Sequence, residues 1–365
     1  MIRRRKLLGV LAAASAALGF PKPAISQNRL NWRMVTSWPK GLPGLGTGPE
    51  RIASRISQMS EGRLTVKVYA AGELVPALQV FDAVSAGTAE MGHDPAYYHL
   101  QKSPACGFFT GVPFGMTAAE HNAWIYWGGG QELWDQLYAP FNIKPFLGGN
   151  TGAQMGGWFR KEIKTADDLR GLKIRMPGHG GQVIAKLGAT QVLLPGSEIY
   201  ANLQSGAIDA AEWVGPYNDL PLGFYQVAKY YYWPGFQEPG AALQITVNKE
   251  AYDALPDHLK VIIETATAAE NDLMLAEFNY RSAPAMQSLI RKHGVQLRQF
   301  PRDVLIALGN AAGELMEELR NDSNPMVRKI TEAYLRALTV QSAWTRIADQ
   351  AIANARLLPI TFPKS

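Results

Sequence analysis

Arg175 is the residue of this chain best placed to do chemistry. It stands in Lys173-Ile174-Arg175-Met176-Pro177-Gly178, where alternation reads as a short strand and Pro177-Gly178 ends it. The alternation points Arg175 away from Ile174 and Met176. Open α/β sheets bind ligands at the C-terminal ends of their strands, and a guanidinium there can donate two parallel hydrogen bonds to a carboxylate. The bland alternative is an exposed surface arginine. Glu212, in Glu212-Trp213-Val214-Gly215-Pro216-Tyr217, ends an apolar run, where a carboxylate is costly to desolvate unless paired or metal-bound. Glu238 sits at a turn in Phe236-Gln237-Glu238-Pro239-Gly240, and Gln154 offers an amide oxygen at an expected crossover. Two carboxylates with amide and backbone oxygens make a donor set for a hard cation. The alternative is that both glutamates are ordinary hinge or surface acids. The expectation is that Arg175 and Glu212 meet one small anion from opposite edges of a crevice, the acid acting through a bound metal ion. Tyr97 and Tyr98 follow Asp94-Pro95-Ala96, and Trp38 follows Thr36-Ser37. Each reads either as a wall of that crevice or as core packing.

Templates for covalent or phosphate chemistry are missing. The chain has no Gly-x-Ser-x-Gly elbow, no Gly-x-x-x-x-Gly-Lys loop and no His-Glu-x-x-His helix. Gly128-Gly129-Gly130 lacks a following lysine and reads as a helix-entry loop. The single cysteine, Cys106, stands beside Gly107 and Phe108 like a small buried hydrophobe. These absences favour a binding protein over an enzyme. An exported metal-dependent enzyme acting on a keto acid is the alternative, and a sensor or scaffold subunit is a second.

The N-terminus has its own logic. Arg3, Arg4, Arg5 and Lys6 precede an Ala-rich apolar run from Val10 to Phe20, and Ala24-Ile25-Ser26 offers a cleavage site before Gln27. This reads as an export signal over residues 1–26, and Arg4-Arg5-Lys6-Leu7-Leu8 resembles a twin-arginine signal. The alternative is a basic helix of the mature fold. Without that segment, 31 basic residues face 31 acidic ones, which gives no reason to expect nucleic-acid or membrane-surface binding.

The elements that must position these groups alternate. Asn31–Ser37 reads as a strand, and Ile52, Ile56 and Met59 share a helical face. Leu64, Val66 and Val68 alternate, a helix opens at Pro76, and Thr88–Met91 reads as a strand. The rhythm returns after residue 150. Thr165 and Asp168 suit a capping box, Leu172 to Met176 a strand, Gln182–Leu187 a helix and Gln191–Leu194 a strand. Ser197 should cap a helix, and Ala207–Trp213 should be a strand. Ala241–Asn248 reads as a strand crossing back, and from Tyr252 the pattern is helical almost to the end, broken near Pro325. The fold class is α/β, two-lobed, with a hinge and a long C-terminal helix. Lobe I is expected over 27–150 with part of 241–300 returning to it, lobe II over 151–240, and a helical segment over 301–365 that packs on a partner or on its own hinge.

These residues resemble the periplasmic solute-binding component of tripartite ATP-independent periplasmic (TRAP) transporters. The matching phrases are Thr36-Ser37-Trp38, Tyr97-Tyr98 with Pro113-Phe114-Gly115-Met116, Asp168-Leu169-Arg170-Gly171-Leu172-Lys173-Ile174-Arg175, Ala207-Ile208-Asp209-Ala210-Ala211-Glu212-Trp213, and Gly215-Pro216. The branch it is most similar to binds α-keto acids such as pyruvate, or lactate, together with a cation. The resemblance implies a periplasmic binding protein that hands its solute to membrane subunits. It implies that Arg175 grips the ligand carboxylate and Tyr98 contacts the ligand. Gln154, Glu212 and the backbone of Trp213 would help hold sodium or calcium, with Glu238 a further candidate. It also implies a homodimer that exchanges a C-terminal helix. No second carboxylate contact is evident, so a monocarboxylate is expected.

Overall fold

The computed structural model describes residues 29–361; the expected export signal lies outside them. Strands β1 (Leu30–Thr36), β2 (Leu64–Tyr69) and β3 (Met91–Asp94) run parallel. The helix between β1 and β2, Thr47–Met59, buries Ile52 and Ile56 but leaves Met59 exposed. The next helix covers only Val80–Ser85, and β3 begins three residues later than the alternation predicts. The amides of Thr88 and Ala89 fold back onto the Ala83 carbonyl, so those residues close the helix instead of entering the sheet.

β4 (Ile143–Asn150) leads out of this sheet into β5 (Gly157–Phe159) of a second one. The capping box of Thr165 and Asp168 then forms, followed by β6 (Lys173–Arg175), β7 (Thr190–Val192) and β8 (Ala210–Ala211). Helices Gly178–Lys186 and Gly196–Ser205 make the crossovers, the second starting one residue before Ser197. β9 (Tyr230–Trp233) completes this pass, and β10 (Ala242–Asn248) crosses back, antiparallel to β3 and β4. Every β10 residue is buried, as a central strand of a covered sheet requires. The first sheet has order β2-β1-β3-β10-β4.

The helical pattern after Tyr252 holds for 37 residues, Asp257–His293, about 55 Å of helix at 1.5 Å per residue. This helix packs on the first sheet and on helix Pro216–Leu222 beside the second. Gly294 then turns the chain with φ +66°, and Gln296–Gln299 form β11 instead of more helix. β11 pairs in parallel with β9, and the second sheet has order β11-β9-β5-β8-β6-β7.

The tail touches both lobes. Helix Arg302–Arg320 packs on Gly178–Lys186, with Lys186 and Glu318 ion-paired. Asn321–Asn324 interrupt it, and helix Pro325–Ile347 packs on Pro104–Phe109 and Ala118–Trp127 of the first lobe. Tyr334 is buried there and accepts a hydrogen bond from the Met116 amide at 2.9 Å. Beyond it the apolar side chains face outward: Trp344 is 65% exposed and Leu357 85%. No helix among the described residues is long and apolar enough to cross a membrane.

Candidate functional site

β6 and β8 are parallel neighbours, with Arg175 in register with Ala211. That register puts Arg175 and Glu212 side by side, and the Glu212 amide donates to the Arg175 carbonyl at 2.9 Å. The two therefore come from adjacent strands of one sheet, not from opposite edges of a crevice as expected. Consecutive parallel strands end at one rim of a sheet, so residues ending both must share it. What faces them from the first lobe is Tyr98, in the 3-10 turn Ala96–His99 that follows β3.

Arg175 is 1% exposed and almost fully engaged. Nε donates to the Leu194 carbonyl at 3.2 Å, and Nη1 to the Glu212 carbonyl at 2.7 Å and to Glu212 Oε2 at 3.0 Å. Nη2 donates to the Tyr98 hydroxyl at 3.0 Å, a bond across the lobes. The guanidinium lies 5.0 Å from the centre of the Trp213 ring. Burial pushes the Tyr98 phenol up to about 12, so it stays a neutral hydroxyl with its own proton to donate.

The chain crosses between sheets from β4 to β5 and from β9 to β10, and these two crossovers supply Gln154 and Glu238. The Gln154 amide donates to the Glu238 carbonyl at 3.1 Å, and the Gly235 amide to the Gln154 carbonyl at 3.1 Å. A Cβ at Gly235 would come within 2.3 Å of that carbonyl, so only glycine lets the crossovers lie this close. Gln154 Nε2 donates to Thr151 Oγ1 at 3.1 Å, while its Oε1 has no partner. Glu212 Oε1 and Glu238 Oε2 are also buried without partners. Burial, then the nearby charge of Glu238, pushes the Glu212 carboxyl well above the usual range, against the pull of Arg175. Burial pushes Glu238 up to about 8, against Arg175 and the Tyr97 phenol. Three buried oxygen acceptors at one seam, two of them carboxylates held back from ionising, are the donor set a hard cation satisfies. Among the described residues no three His, Cys, Asp or Glu side chains converge as a metal site, so the amide oxygen matters.

Trp213 is buried above Arg175, its Nε1 donating to Asn218 Oδ1 at 2.6 Å. Asn218 Nδ2 reaches across to the Pro43 carbonyl at 2.6 Å. Trp38 meets Trp213 edge to face at 6.2 Å. Between them lies a cavity of ≈ 10 Å³, lined by Trp38, Tyr97, Tyr98, Gln154, Trp213 and Leu243 among others. That is space for about one water molecule, so the lobes are closed on one another.

The sequence reading missed Asp219. It is buried and accepts hydrogen bonds from Trp158 Nε1 at 2.9 Å, from the Tyr231 hydroxyl at 2.7 Å and from the amides of Val214 and Gly215. It thereby fixes the loop that follows Glu212 and Trp213. Burial pushes its carboxyl up to about 6. Its signal was present: an acid three residues after Pro216, where a helix's first turn exposes amides.

Residues 34–322 match the DctP family, described as bacterial extracellular solute-binding protein, family 7. The monocarboxylate 2-oxoacid-binding periplasmic protein of Nostoc sp. is 42% identical over 362 residues, covering 97% of this chain and 98% of its own. A TRAP transporter solute-binding protein from Bordetella bronchiseptica superposes with a TM-score of 0.88 at 40% identity, covering 90% of this chain and 97% of that one. It is a mixed-occupancy dimer, with copurified calcium and picolinate in one site and the other empty. A TRAP periplasmic solute-binding protein from Pseudoalteromonas atlantica, with bound sodium and pyruvate, gives 0.87 at 41% identity, covering 89% and 99%. Matches of this extent take in both sheets and the seam between them, and the chain belongs to bacterial extracellular solute-binding protein family 7, as a periplasmic solute-binding protein of the TRAP class.

Proposed function

We propose that this chain captures a small monocarboxylate 2-oxoacid such as pyruvate, or the related lactate, together with a sodium or calcium ion, and delivers it unchanged to TRAP membrane subunits. The observation that carries the reading is the trio of unpartnered buried oxygens on Gln154, Glu212 and Glu238 beside the Arg175 guanidinium. The ligands of the Nostoc and Pseudoalteromonas relatives support it.

Arg175 takes the ligand's carboxylate by exchanging bonds now made to Glu212 Oε2 and the Tyr98 hydroxyl. Tyr98, released, donates a hydrogen bond to the ligand from the first lobe, which ties closure to occupancy. Gln154, Glu212, Glu238 and the Trp213 backbone are the groups that would hold the cation. When bound, the ion supplies positive charge that lets two carboxylates ionise in a dry site. Two ionised acids against one guanidinium leave a net negative charge, and a bound carboxylate doubles it. A divalent ion cancels both charges; a monovalent ion leaves one, which a proton on Glu238 removes. Calcium is therefore expected to serve best at alkaline pH and sodium to suffice near neutrality.

Titration calorimetry with pyruvate, with and without sodium or calcium, tests the reading. Arg175→Met is expected to weaken pyruvate binding by roughly 100-fold or more, with the fold retained by circular dichroism. Equal affinity in the variant, or binding indifferent to both cations, would sink it. Quantitative recovery of unaltered pyruvate after long incubation tests the absence of catalysis. The exposed apolar face beyond Tyr334 is proposed to be covered by a second copy of the chain, a reading supported by the dimeric Bordetella relative.

A further inference from the structure

The cavity at the seam is lined both by polar groups, Tyr98, Thr151 and Gln154, and by the apolar Trp38, Leu45 and Leu243. Of these, Tyr98 is bonded to Arg175. Arg175 stacks on Trp213, and Trp213 meets Trp38, so the two indoles stand in succession from the anion anchor. Trp38 is held unusually firmly for a cleft aromatic. It leaves β1 buried, and its Nε1 donates to His93 Nδ1 at 2.7 Å. A His93 that accepts at Nδ1 must carry its proton on Nε2, and Nε2 lies 3.2 Å from the Gly148 carbonyl of β4, which accepts it. Trp38 is thereby tied through β3 to β4, with no freedom to swing when a longer ligand enters.

We infer that Trp38, positioned by His93, sets the length of the acid's apolar tail and so selects short-chain 2-oxoacids over longer or branched ones. The inference rests on the 2-oxoacid reading above and deepens it. An acid anchored by its carboxylate at Arg175 extends its tail along Trp213 towards the Trp38 indole. Each added methylene then has to displace a ring whose N–H is spent inside the first lobe. Leaving that donor unpaired adds its own penalty to the overpacking. The role of His93 suits a neutral imidazole, and burial holds the ring far towards neutrality, at about 4.

The test is the ratio of affinities for pyruvate and 2-oxoisocaproate, by calorimetry at saturating calcium, with 2-oxobutyrate as an intermediate length. Wild type should favour pyruvate by about tenfold or more. Trp38→Ala should shrink that ratio at least about tenfold while still binding pyruvate. Trp38→Phe, a smaller change that keeps an aromatic core, should relax it first for 2-oxobutyrate. His93→Leu should relax the ratio partly. His93→Gln, whose amide can accept from the indole and donate to Gly148, should restore it; simple loosening of the core would not discriminate between these two. An unchanged ratio in both Trp38 variants would overturn the inference while leaving the 2-oxoacid reading intact. A wild type that binds none of the three acids overturns both.

Discussion

Two buried polar clusters sit close together in this molecule, and they are completed in opposite ways. Behind β3, Asp94 Oδ2 lies 2.6 Å from His99 Nε2, Asp94 Oδ1 accepts from Gln244 Nε2 at 2.7 Å, and Gln244 Oε1 accepts from the Tyr138 hydroxyl at 2.9 Å. Both carboxylate oxygens and the amide of that set are paired, and all four side chains are buried. At the seam, Arg175 has partners on all three nitrogens but Gln154, Glu212 and Glu238 each keep an oxygen with no donor. A paired cluster repays its desolvation within the chain, whereas an unpaired one needs something from outside. The contrast separates polar groups that hold the first lobe together from those that wait for a ligand.

The sharpest way to break the comparison is in the paired cluster. Asp94→Ala removes both acceptor oxygens and strands His99 and the Gln244 amide, so it should destabilise the protein by about 3–5 kcal/mol. The shift of the urea midpoint reads this directly. A loss no larger than about 0.5 kcal/mol, the usual size for a surface change, would show that the Asp94 network carries little.

The seam should instead respond to pH and cation together. Glu238 titrates near 8 in the folded protein, far above its value in an unfolded chain. The folded form therefore holds a proton that the unfolded form has released, and cation-free stability should fall as pH rises from about 4.5 to 8. Glu212 is shifted in the same direction. Calcium competes with that proton, so its affinity should rise by at least about tenfold per pH unit below 8, and less steeply once Glu238 is ionised. Calcium titrations at pH 6, 7, 8 and 9 check the slope and its break; a flat profile would place the cation away from Glu238.

Much of this was legible because it is local. The capping box of Thr165 and Asp168 needs only its own four residues, and it formed as spelled. Arg175 was legible because Pro177-Gly178 stops its strand at once. What failed was non-local. β11 is Gln296-Leu297-Arg298-Gln299, with weak strand propensity, and it exists because β9, 66 residues earlier, offers an edge at Tyr230–Trp233. The run Ala207–Trp213 is strand only at Ala210 and Ala211, with the amides of Asp209 and Glu212 still bonded to β6 on either side. The bond between Trp38 and His93 was not legible either, since it needs β1 and β3 to be adjacent and parallel. Arg175 and Glu212 were expected at one anion but from opposite edges of a crevice; their direct pairing on neighbouring strands of one sheet was not foreseen, since strand order is a tertiary fact.

A smaller effect sharpens the contrast by reversing its sign. Glu238→Gln replaces a reluctant carboxylate with a neutral amide of the same shape. Above pH 8 the cation-free variant should be more stable than wild type by about 1 kcal/mol, while calcium no longer raises its melting temperature. A variant that loses stability without calcium would mean that Glu238 is paired in solution, and the seam would then resemble the Asp94 cluster.

The smallest effect on binding is expected from the tail. Helix Pro325–Ile347 is anchored as far as Leu338, which packs against the first-lobe core, and then projects Val340, Trp344 and Ile347 outward. Ile352, Leu357, Leu358 and Ile360 continue that exposed apolar series. None of them lines the seam cavity, so a chain ending at Thr339 should bind pyruvate within about twofold of the full chain, well inside the change a single methylene makes. It loses the hydrogen bond that Thr345 Oγ1 donates to the buried Glu120 carboxylate, but neither residue lines the seam cavity. Its mass in solution should change more. Sedimentation should find a dimer for the full chain and a monomer for the truncated one, because burying this row against a second copy removes apolar surface from water at about 25 cal/mol per Å². A full-length chain that sediments as a monomer would leave the face without its proposed cover. A truncation that also abolished pyruvate binding would mean that the tail braces the closed lobes, and the clean division between seam and scaffold would have to include it.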